Sequence, residues 1–333
     1  MSQSQQYTKC QYGGETTYGT ETSSYTELFK VQSVNFNSNN GLIQSRGLGE
    51  GFNVKNAYYG PFASTGSISQ EVNDFTFLRH WIGAVSGSGT AISPYVLTEA
   101  SRVAVNSSAG SLQPFSIEKM NDTEGDSTKS VEYAKGCVGT DFTLSAQIGQ
   151  LLTFSGNFII QKTGYRSTSE TYTQASSDAY VMQGGSYKYG ATPTALSGVQ
   201  SFEISYINGL VSNRRSLDTR FIKMPLLGQR AYGIRVSIEM ATSLASTIIS
   251  DFYGDASNPY EPNEGSTSSG PTTSLEFKAE LVSGSKRAYL QFDDFVIESI
   301  SISDGLNGGL RILNFEGFAF SGLGNEPIQW WEV

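Results

Sequence analysis

The sequence PFSIEKMNDTEGDSTKSVEYAKGCVGTDFTLSAQIGQLLTFSGNFII, residues 114–160, sets the architecture of the chain. Apolar and polar residues alternate on both sides of a turn at Gly149-Gln150, and the apolar members are Phe142, Leu144, Ala146, Leu152, Phe154 and Phe158. A period of two predicts strands with one buried face and one face in water. Another strand is predicted at Phe115 and Ile117, followed by a turn at Gly136-Cys137.

A similar order of elements recurs towards the C-terminus. Residues 313–317 correspond to 152–156, residues 300–303 correspond to 142–145, and residues 275–281 correspond to the strand at Phe115. A short amphipathic helix is predicted before each copy, at 73–85 with Phe77, Leu78 and Trp81, and at 242–252. Two antiparallel β domains share much of this pattern in any case, but the common order favours an internal duplication.

Composition agrees with a β-rich protein of two ordinary domains. The 333 residues are 16% charged and 12% aromatic and include 36 glycines, so the chain is neither helical nor disordered in type. The predicted segments are an N-terminal arm (1–24), a first domain (25–165), a linker (166–195), a second domain (196–322) and a C-terminal tail (323–333). The arm has too little periodicity to form a core, so we expect it to be disordered or to order against a partner.

Charge and cysteine content restrict the environment and the partners. Two cysteines, Cys10 and Cys137, provide no disulfide framework and indicate a reducing compartment. The N-terminus lacks a signal-peptide pattern, and no apolar run reaches the ~18 residues of a membrane span, so we expect a soluble protein made in the cytoplasm. A net charge of −9 argues against tight binding of nucleic acid.

No combination of residues indicates catalysis, a cofactor or a metal. His80 is the single histidine, and packing is the simpler interpretation of it. Residues 122–126 resemble a calcium loop but lack its full spacing. Asp293 and Asp294 could suggest a glycosidase pair, but neighbouring residues of a strand point to opposite faces. We therefore predict that the protein is not an enzyme.

Several exposed segments are predicted to contact other copies of the chain. The connection at 37–51 is long for a hairpin and carries Arg46 and Glu50, and its counterpart at 209–220 carries three arginines. Guanidinium groups there could bind carboxylates of a neighbour, or the loop could simply be solvated. The full set of predicted self-association residues is Tyr12, Tyr18, Arg46, Glu50, Arg214, Arg215, Arg220, Trp330 and Trp331.

In order and spacing, these features resemble the tail tube proteins of long-tailed (siphovirus-like) bacterial or archaeal viruses. The resemblance runs from Tyr12-x-x-Glu15-Thr16-Thr17-Tyr18-Gly19-Thr20 through the hairpin and the Phe77–Trp81 helix to Gly136-Cys137 and the strands up to Phe158. It implies a mainly β fold, here two tandem tail-tube-type β-sandwich or half-barrel domains, each with one short flanking α-helix. It implies no catalytic or cofactor residues.

The resemblance also implies stacked rings of six tube domains around a channel for DNA. The chain is longer than a single-domain tube protein, and duplication would let three chains complete a pseudo-hexameric ring in which sheet edges pair between domains. The implied partners are the chain itself, the tail tip or baseplate, tape measure and tail terminator proteins, and DNA that passes without specific binding. The implied location is the virion tail, assembled in the host cytoplasm. The alternative is another β-rich virion or surface protein, such as a capsid decoration protein or a carbohydrate-binding module with Trp330-Trp331 as its platform.

Overall fold

The computed structural model describes residues 8–28, 30–45, 56–105, 111–121, 131–169, 172–173, 179–190, 194–216, 219–240, 243–253, 275–283, 286–303, 311–319 and 328–332. Within these residues the secondary structure is mainly β. The strands of the first part are β1 (Thr8–Gly14), β2 (Tyr25–Glu27), β3 (Val31–Asn39), β4 (Ile43–Ser45), β5 (Asn56–Tyr58), β6 (Ala63–Glu71), β7 (Gly83–Ser86), β8 (Tyr95–Glu99), β9 (Arg102–Val103), β10 (Ser111–Leu112), β11 (Phe115–Asn121), β12 (Val131–Gln147), β13 (Thr153–Ile160), β14 (Lys162–Arg166) and β15 (Tyr172–Thr173).

The described residues of the second part add eight strands and one α-helix. The strands are β16 (Val181–Gly190), β17 (Thr194–Ala195), β18 (Val199–Ile207), β19 (Ala231–Glu239), β20 (Leu275–Ser283), β21 (Lys286–Ser303), β22 (Ile312–Ala319) and β23 (Ile328–Glu332). Helix α1 spans Ser243–Tyr253 and confirms the helix predicted over 242–252. In the part of the chain that the structure describes, no helix combines the length and hydropathy that crossing a membrane requires.

Eight of these strands form one continuous antiparallel sheet, which we call the long sheet. Its order is β3-β6-β13-β12-β18-β19-β22-β21. The pairing of β12 with β18, from Asp141 opposite Ile207 to Gln147 opposite Ser201, joins the two parts of the chain. The last strand, β21, contributes only its second half, because its first half pairs with β20 and β23.

The two parts repeat one pairing scheme. In the first, β3 pairs with β6, β6 with β13, β13 with β12, β12 with β11 and β11 with β1. In the second, β18, β19, β22, β21, β20 and β16 are connected in the same order. The register irregularities recur as well, at Val31/Ser33 and Val199/Ser201, at Phe115/Ile117 and Leu275/Phe277, and at Gly139/Asp141 and Ile297/Ser299.

The helix predicted over 73–85 is wrong. Residues Thr76–His80 form a short 3₁₀ helix, and β7 begins at Gly83. The apolar stripe still faces inwards, with Phe77, Leu78 and Trp81 all buried. One tight turn is enough to bury these side chains, and the chain then reverses at Gly83, where a Cβ atom would lie 2.2 Å from the carbonyl oxygen of Thr98.

The turn predicted at Gly136-Cys137 is also wrong, because both residues lie inside the 17-residue strand β12. Gly136 has a φ of +66°, and a Cβ atom there would lie 2.5 Å from Cβ of Gln161. This left-handed residue redirects the strand without ending it. The first half of β12 pairs with β11 and β14, and the second half pairs with β13 and β18.

The described part of the predicted N-terminal arm is folded into the sheet through β1, contrary to our expectation. Every residue of β1 pairs with β11, and Cys10 and Glu15 are buried. The Glu15 carboxylate accepts hydrogen bonds from the backbone N–H of Gly136 (2.6 Å), the hydroxyl of Ser116 (2.7 Å) and the N–H of Gly19 (2.7 Å). Burial raises the pKa of Glu15, and these donors partly offset that rise.

The predicted linker likewise contains sheet strands, because β16 pairs with β20. The strand patterns recognised in the sequence are confirmed at β11, β12, β13, β20, β21 and β22. The predicted domain boundaries themselves stay a prediction. The predicted residues Arg46 and Glu50, and the loop 122–126, lie outside the described residues.

Candidate assembly surface

One face of the long sheet is lined by small polar side chains, and we call it the polar face. Directly opposite residues of an antiparallel sheet lie on the same face, so the registers assign its members. Its polar members include Ser33, Asn35, Asn37, Thr65, Ser67, Ser69, Asp141, Thr143, Ser145, Ser155, Asn157, Ser201, Glu203, Ser205, Arg235, Ser237, Ser299, Ser301, Ser303, Asn314 and Glu316. The same registers also place apolar residues on this face, including Ile159, Ile207 and Phe318. The alternate residues of the same strands, such as Ile68, Leu144 and Phe315, form the core on the other face.

Most of the polar face is uncharged, and its charged groups are paired. Among the residues just given, Arg235 is the cation and Asp141, Glu203 and Glu316 are the anions. Arg235 donates to Glu316 from Nε (2.8 Å), with Nη2 also 2.8 Å from the same carboxylate oxygen. Its Nη1 lies 3.5 Å from Glu203.

These contacts hold the Arg235 side chain between two carboxylates on neighbouring strands. The hydrogen bond from Arg235 lowers the pKa of Glu316 below its usual range. The third anion, Asp141, accepts from the Asn157 amide (2.6 Å) and the Thr140 hydroxyl (2.6 Å). The same registers also place Glu71 and Glu239 on this face. Its described part therefore presents mainly hydroxyl and amide groups, with a net charge of about −4 from five carboxylates and one guanidinium.

The long sheet ends in two strands, each with one edge that pairs with no other strand among the described residues; we call this the free edge. One is β3, whose described partner in this sheet is β6, and the other is the second half of β21, whose described partner is β22. On β3, the Lys119 side chain donates to the carbonyl oxygen of Val34 at this edge (3.4 Å). Ile302 on the second of these is 45% exposed although it belongs to the core face. Unpaired edges with apolar neighbours are the usual sites at which sheets add strands.

The predicted arginines bind within the chain, and one of them joins its two parts. Arg214 donates to the carbonyl oxygen of Met224 (2.9 Å), and Arg215 donates to that of Arg220 (2.7 Å). Arg220 donates to the side-chain oxygen of Asn40 (2.5 Å) and lies over the ring of Tyr59, 5.1 Å from its centroid. The loop after β18 is thus fixed on the loop after β3.

The two predicted tyrosines of the arm pack inside the fold. The ring of Tyr12 meets His80 edge to face, with 5.5 Å between ring centroids. Tyr18 packs against the smaller of two buried clusters, which includes Val138 and Ile222. His80 is buried and its Nδ1 lies 2.8 Å from the carbonyl oxygen of Gln113. Contact of either tyrosine with a neighbouring ring stays a prediction.

The two C-terminal tryptophans lie in β23. Trp330 is opposite Ala288 of β21 and Tyr95 of β8, and Trp331 is opposite Arg287. The backbone of this strand therefore bridges the end of the chain to its first part. Within the described residues, His, Cys, Asp and Glu side chains form no group suited to a metal ion.

Sequence reasoning missed the polar face and the two free edges. The alternation of Ser, Thr and Asn with apolar residues could have indicated the face strand by strand. The order in which the strands join, and above all the β12–β18 junction, depends on long-range pairing that the pattern does not contain.

A family model described as phage tail tube protein matches residues 8–242, which is more than half of the chain. None of the curated proteins compared with the chain matches it.

Proposed function

Because this chain belongs to the phage tail tube protein family, we propose that three copies form a pseudo-hexameric ring and that stacked rings make the channel for genome delivery. The family is structural and non-enzymatic, and it implies self-assembly and a place in the virion tail. The observation that supports the ring most is the β12–β18 junction, which joins two similarly paired sets of strands in one sheet. Two tube domains per chain would give six per ring.

In the proposed ring the polar face lines the channel. Hydroxyl and amide groups provide few fixed charges, and the paired state of Arg235 leaves no free guanidinium among the assigned residues of that face. Tight DNA binding depends on cationic contacts to phosphates. A wall of this composition would therefore let the genome slide along it.

Ring stacking is a heterologous contact that does not close, so it extends into a tube. The hairpin formed by β4 and β5 is the candidate for this stacking contact, because it exposes large apolar side chains. More than half of the surface is exposed in each of Leu42, Ile43, Tyr58 and Tyr59. We expect this hairpin, together with the predicted residues Arg46 and Glu50, to contact the next ring. Tail tip or baseplate, tape measure and tail terminator proteins would meet the two ends of the tube, and assembly would take place in the host cytoplasm.

Electron microscopy of the purified protein tests the proposal. At high concentration, or in virions, we expect rings and tubes whose cross-section shows three identical chains and six similar lobes. Six full chains per ring would contradict the three-chain arrangement. A protein that stays monomeric in both settings would contradict the tube itself.

Release of Arg235 should make the channel retain DNA. The double variant E203Q/E316Q removes both carboxylates that hold the guanidinium while keeping similar side-chain shapes. We expect slower DNA ejection at low salt, and a salt dependence of DNA retention that steepens by about 0.9 in log–log slope for each arginine contacting a phosphate.

The matched control is the triple variant E203Q/E316Q/R235Q, which lacks the released cation and should behave like the parent protein. Ejection of virion DNA can be followed by the fluorescence of a DNA-binding dye across a salt series. If the double and triple variants eject at the same rate, Arg235 does not face the DNA.

A further inference from the structure

We infer that the ring closes when the second half of β21 in one copy pairs with β3 of the next copy, in the register that β12 and β18 adopt within the chain. This inference rests on the proposed tube function and deepens it by naming the edges and the residue pairs. The partner is a second copy of this chain, and the contact is head to tail, so each copy uses both edges.

The first step is that β21 occupies the position in the second part that β12 occupies in the first part. Each is a long strand whose first half pairs with β20 or β11 and whose second half pairs with β22 or β13. The register irregularity places Ser299, opposite Glu316, where β12 has Asp141, opposite Asn157. On β12 the opposite edge of the second half is occupied by β18, whereas no strand of the described residues occupies that edge of β21.

The second step is that β3 stands in the first part where β18 stands in the second. Val34 lies opposite Ile68 of β6, as Phe202 lies opposite Val236 of β19. Both pairings have their irregularity at the start of the strand, just before Ser33 and Ser201. The edge of β3 that is free is therefore the edge by which β18 joins β12.

The third step transfers the register. Within the chain, Thr143 lies opposite Ser205 and Leu144 lies opposite Ile204. The corresponding pairs between copies are Ser301 with Asn37 and Ile302 with Phe36.

Along β21, alternate residues direct their backbone N–H and C=O groups to opposite edges, and this alternation fits the transferred register. Met240 donates its N–H to the carbonyl oxygen of Arg311 (2.9 Å), so alternate residues of β22 from Arg311 onwards bond to β19. The residues between them, including Asn314, bond to β21, where Ser301 lies opposite Asn314. The N–H and C=O groups of Ile302 consequently point to the free edge.

The backbone groups of β3 alternate between its two edges in a way that fits the same register. Glu71 donates its N–H towards the carbonyl oxygen of Lys30, so alternate residues of β6 from Glu71, including Thr65, bond to β3. Asn37, opposite Thr65, is used in that ladder, and Phe36 directs its backbone groups to the free edge. The backbone groups of Ile302 and Phe36 thus both point to free edges, and these are the two residues that lie opposite each other in the transferred register.

Side-chain burial also differs between the β12–β18 junction and the equivalent free edges, where more apolar surface is exposed. Leu144, which β18 covers, is 0% exposed, whereas Ile302 is 45% exposed. Ile204 of β18 is buried and Phe36 of β3 is half-buried. Pairing between copies would remove apolar surface of Ile302 and Phe36 from water, and apolar burial is a main source of stability in association.

Disulfide cross-linking tests the register. In the variant S301C/N37C the two thiols would lie opposite each other on the polar face, at a pair without direct hydrogen bonds, where Cβ atoms come closest. The native Cys10 and Cys137 are buried, and burial raises the pKa of both thiols, so they should not react. After tubes form under reducing conditions, oxidation should give covalent oligomers on a non-reducing gel.

Two controls distinguish this register from others. The variant S301C/N35C tests a slip of two residues, and S301C/S38C places the second thiol on the opposite face. We expect each to give several-fold less cross-linked product than S301C/N37C. A one-to-one mixture of the single variants S301C and N37C should form covalent dimers and no larger species.

The register would be overturned if either control cross-linked as well as S301C/N37C or better. It would also be overturned if neither assembled S301C/N37C tubes nor tubes of the mixed single variants gave a cross-linked product. Those results would leave the tube function intact, since tubes are observed independently by microscopy. A covalent ladder that stops at the trimer supports three chains per ring. A ladder that continues to a hexamer would contradict that number but not the strand pairing.

Discussion

Replacement of Trp81 by alanine is expected to lower the free energy of unfolding by about 3–5 kcal/mol, the usual cost of removing a large buried aromatic side chain. Trp81 is 3% exposed, and its ring centroid lies 5.2 Å from that of Phe154 and 5.4 Å from that of Phe115. Its indole N–H donates to the carbonyl oxygen of Asn157 (3.0 Å), which would lose a partner.

The site cannot easily close around the missing ring, because it was already shaped to hold it. A Cβ atom on Gly139 would lie 2.3 Å from Trp81, so glycine at that position of β12 admits the indole. The carbonyl oxygens of Trp81 and Gly139 both accept from the side-chain amide of Asn208 (3.0 Å each), just after β18. A cavity here therefore lies beside the β12–β18 junction, and we expect tube formation to weaken as well.

Urea unfolding followed by far-UV circular dichroism measures the loss. The matched control is Ile92→Ala, because Ile92 is 99% exposed and its truncation should change the free energy of unfolding by no more than about 0.5 kcal/mol. A loss of less than about 1 kcal/mol for Trp81→Ala would contradict the packing described for this residue.

Ile302→Pro is expected to abolish tube formation while leaving the monomer folded. Proline has no N–H to donate, and the N–H of Ile302 points to the free edge of β21. In the monomer the substitution leaves the ladder to β22 intact. In the assembly it removes a hydrogen bond at the centre of the proposed β21–β3 contact and opposes the extended pairing of the strand.

The neighbouring variant Ser301→Pro is the control. Ser301 lies opposite Asn314 and directs its N–H to β22, so this proline breaks a ladder within the chain. We expect Ser301→Pro to lower the free energy of unfolding by about 1–3 kcal/mol and Ile302→Pro to lower it by much less. Thermal unfolding of the monomers and sedimentation of assembled material separate the two effects. Normal tubes from Ile302→Pro would argue against this edge as the contact.

The sequence predicted those elements whose signal is local. Alternation alone placed β13, β22 and the second half of β12, because an antiparallel sheet with one face in water requires a period of two. It failed at Thr76–His80, where a stripe compatible with an α-helix is buried by a single 3₁₀ turn. It also failed at Gly136, since glycine can end a strand or redirect it, and the choice depends on which strands lie alongside.

The surroundings of the predicted self-association residues were less predictable than the strands, and their contact with other copies stays a prediction. Tyr12 and the arginines of the 209–220 loop were chosen as residues typical of interfaces, but in the fold they pack or hydrogen-bond within the chain. Residues 8–14 had no recognisable periodicity, yet the buried Glu15 anchors the segment through three hydrogen bonds. Two of these bonds, to Ser116 and Gly136, join positions 101 and 121 residues apart and leave no periodic trace.

The β12–β18 junction has a mechanical consequence. Sheet hydrogen bonds run across the strands, so a load that widens the long sheet is carried by the ladders in series. The junction holds seven residue pairs, the same number as the β12–β13 ladder and one fewer than the β18–β19 ladder. Under outward pressure the two parts of the chain should therefore resist separation about as firmly as the strands within each part.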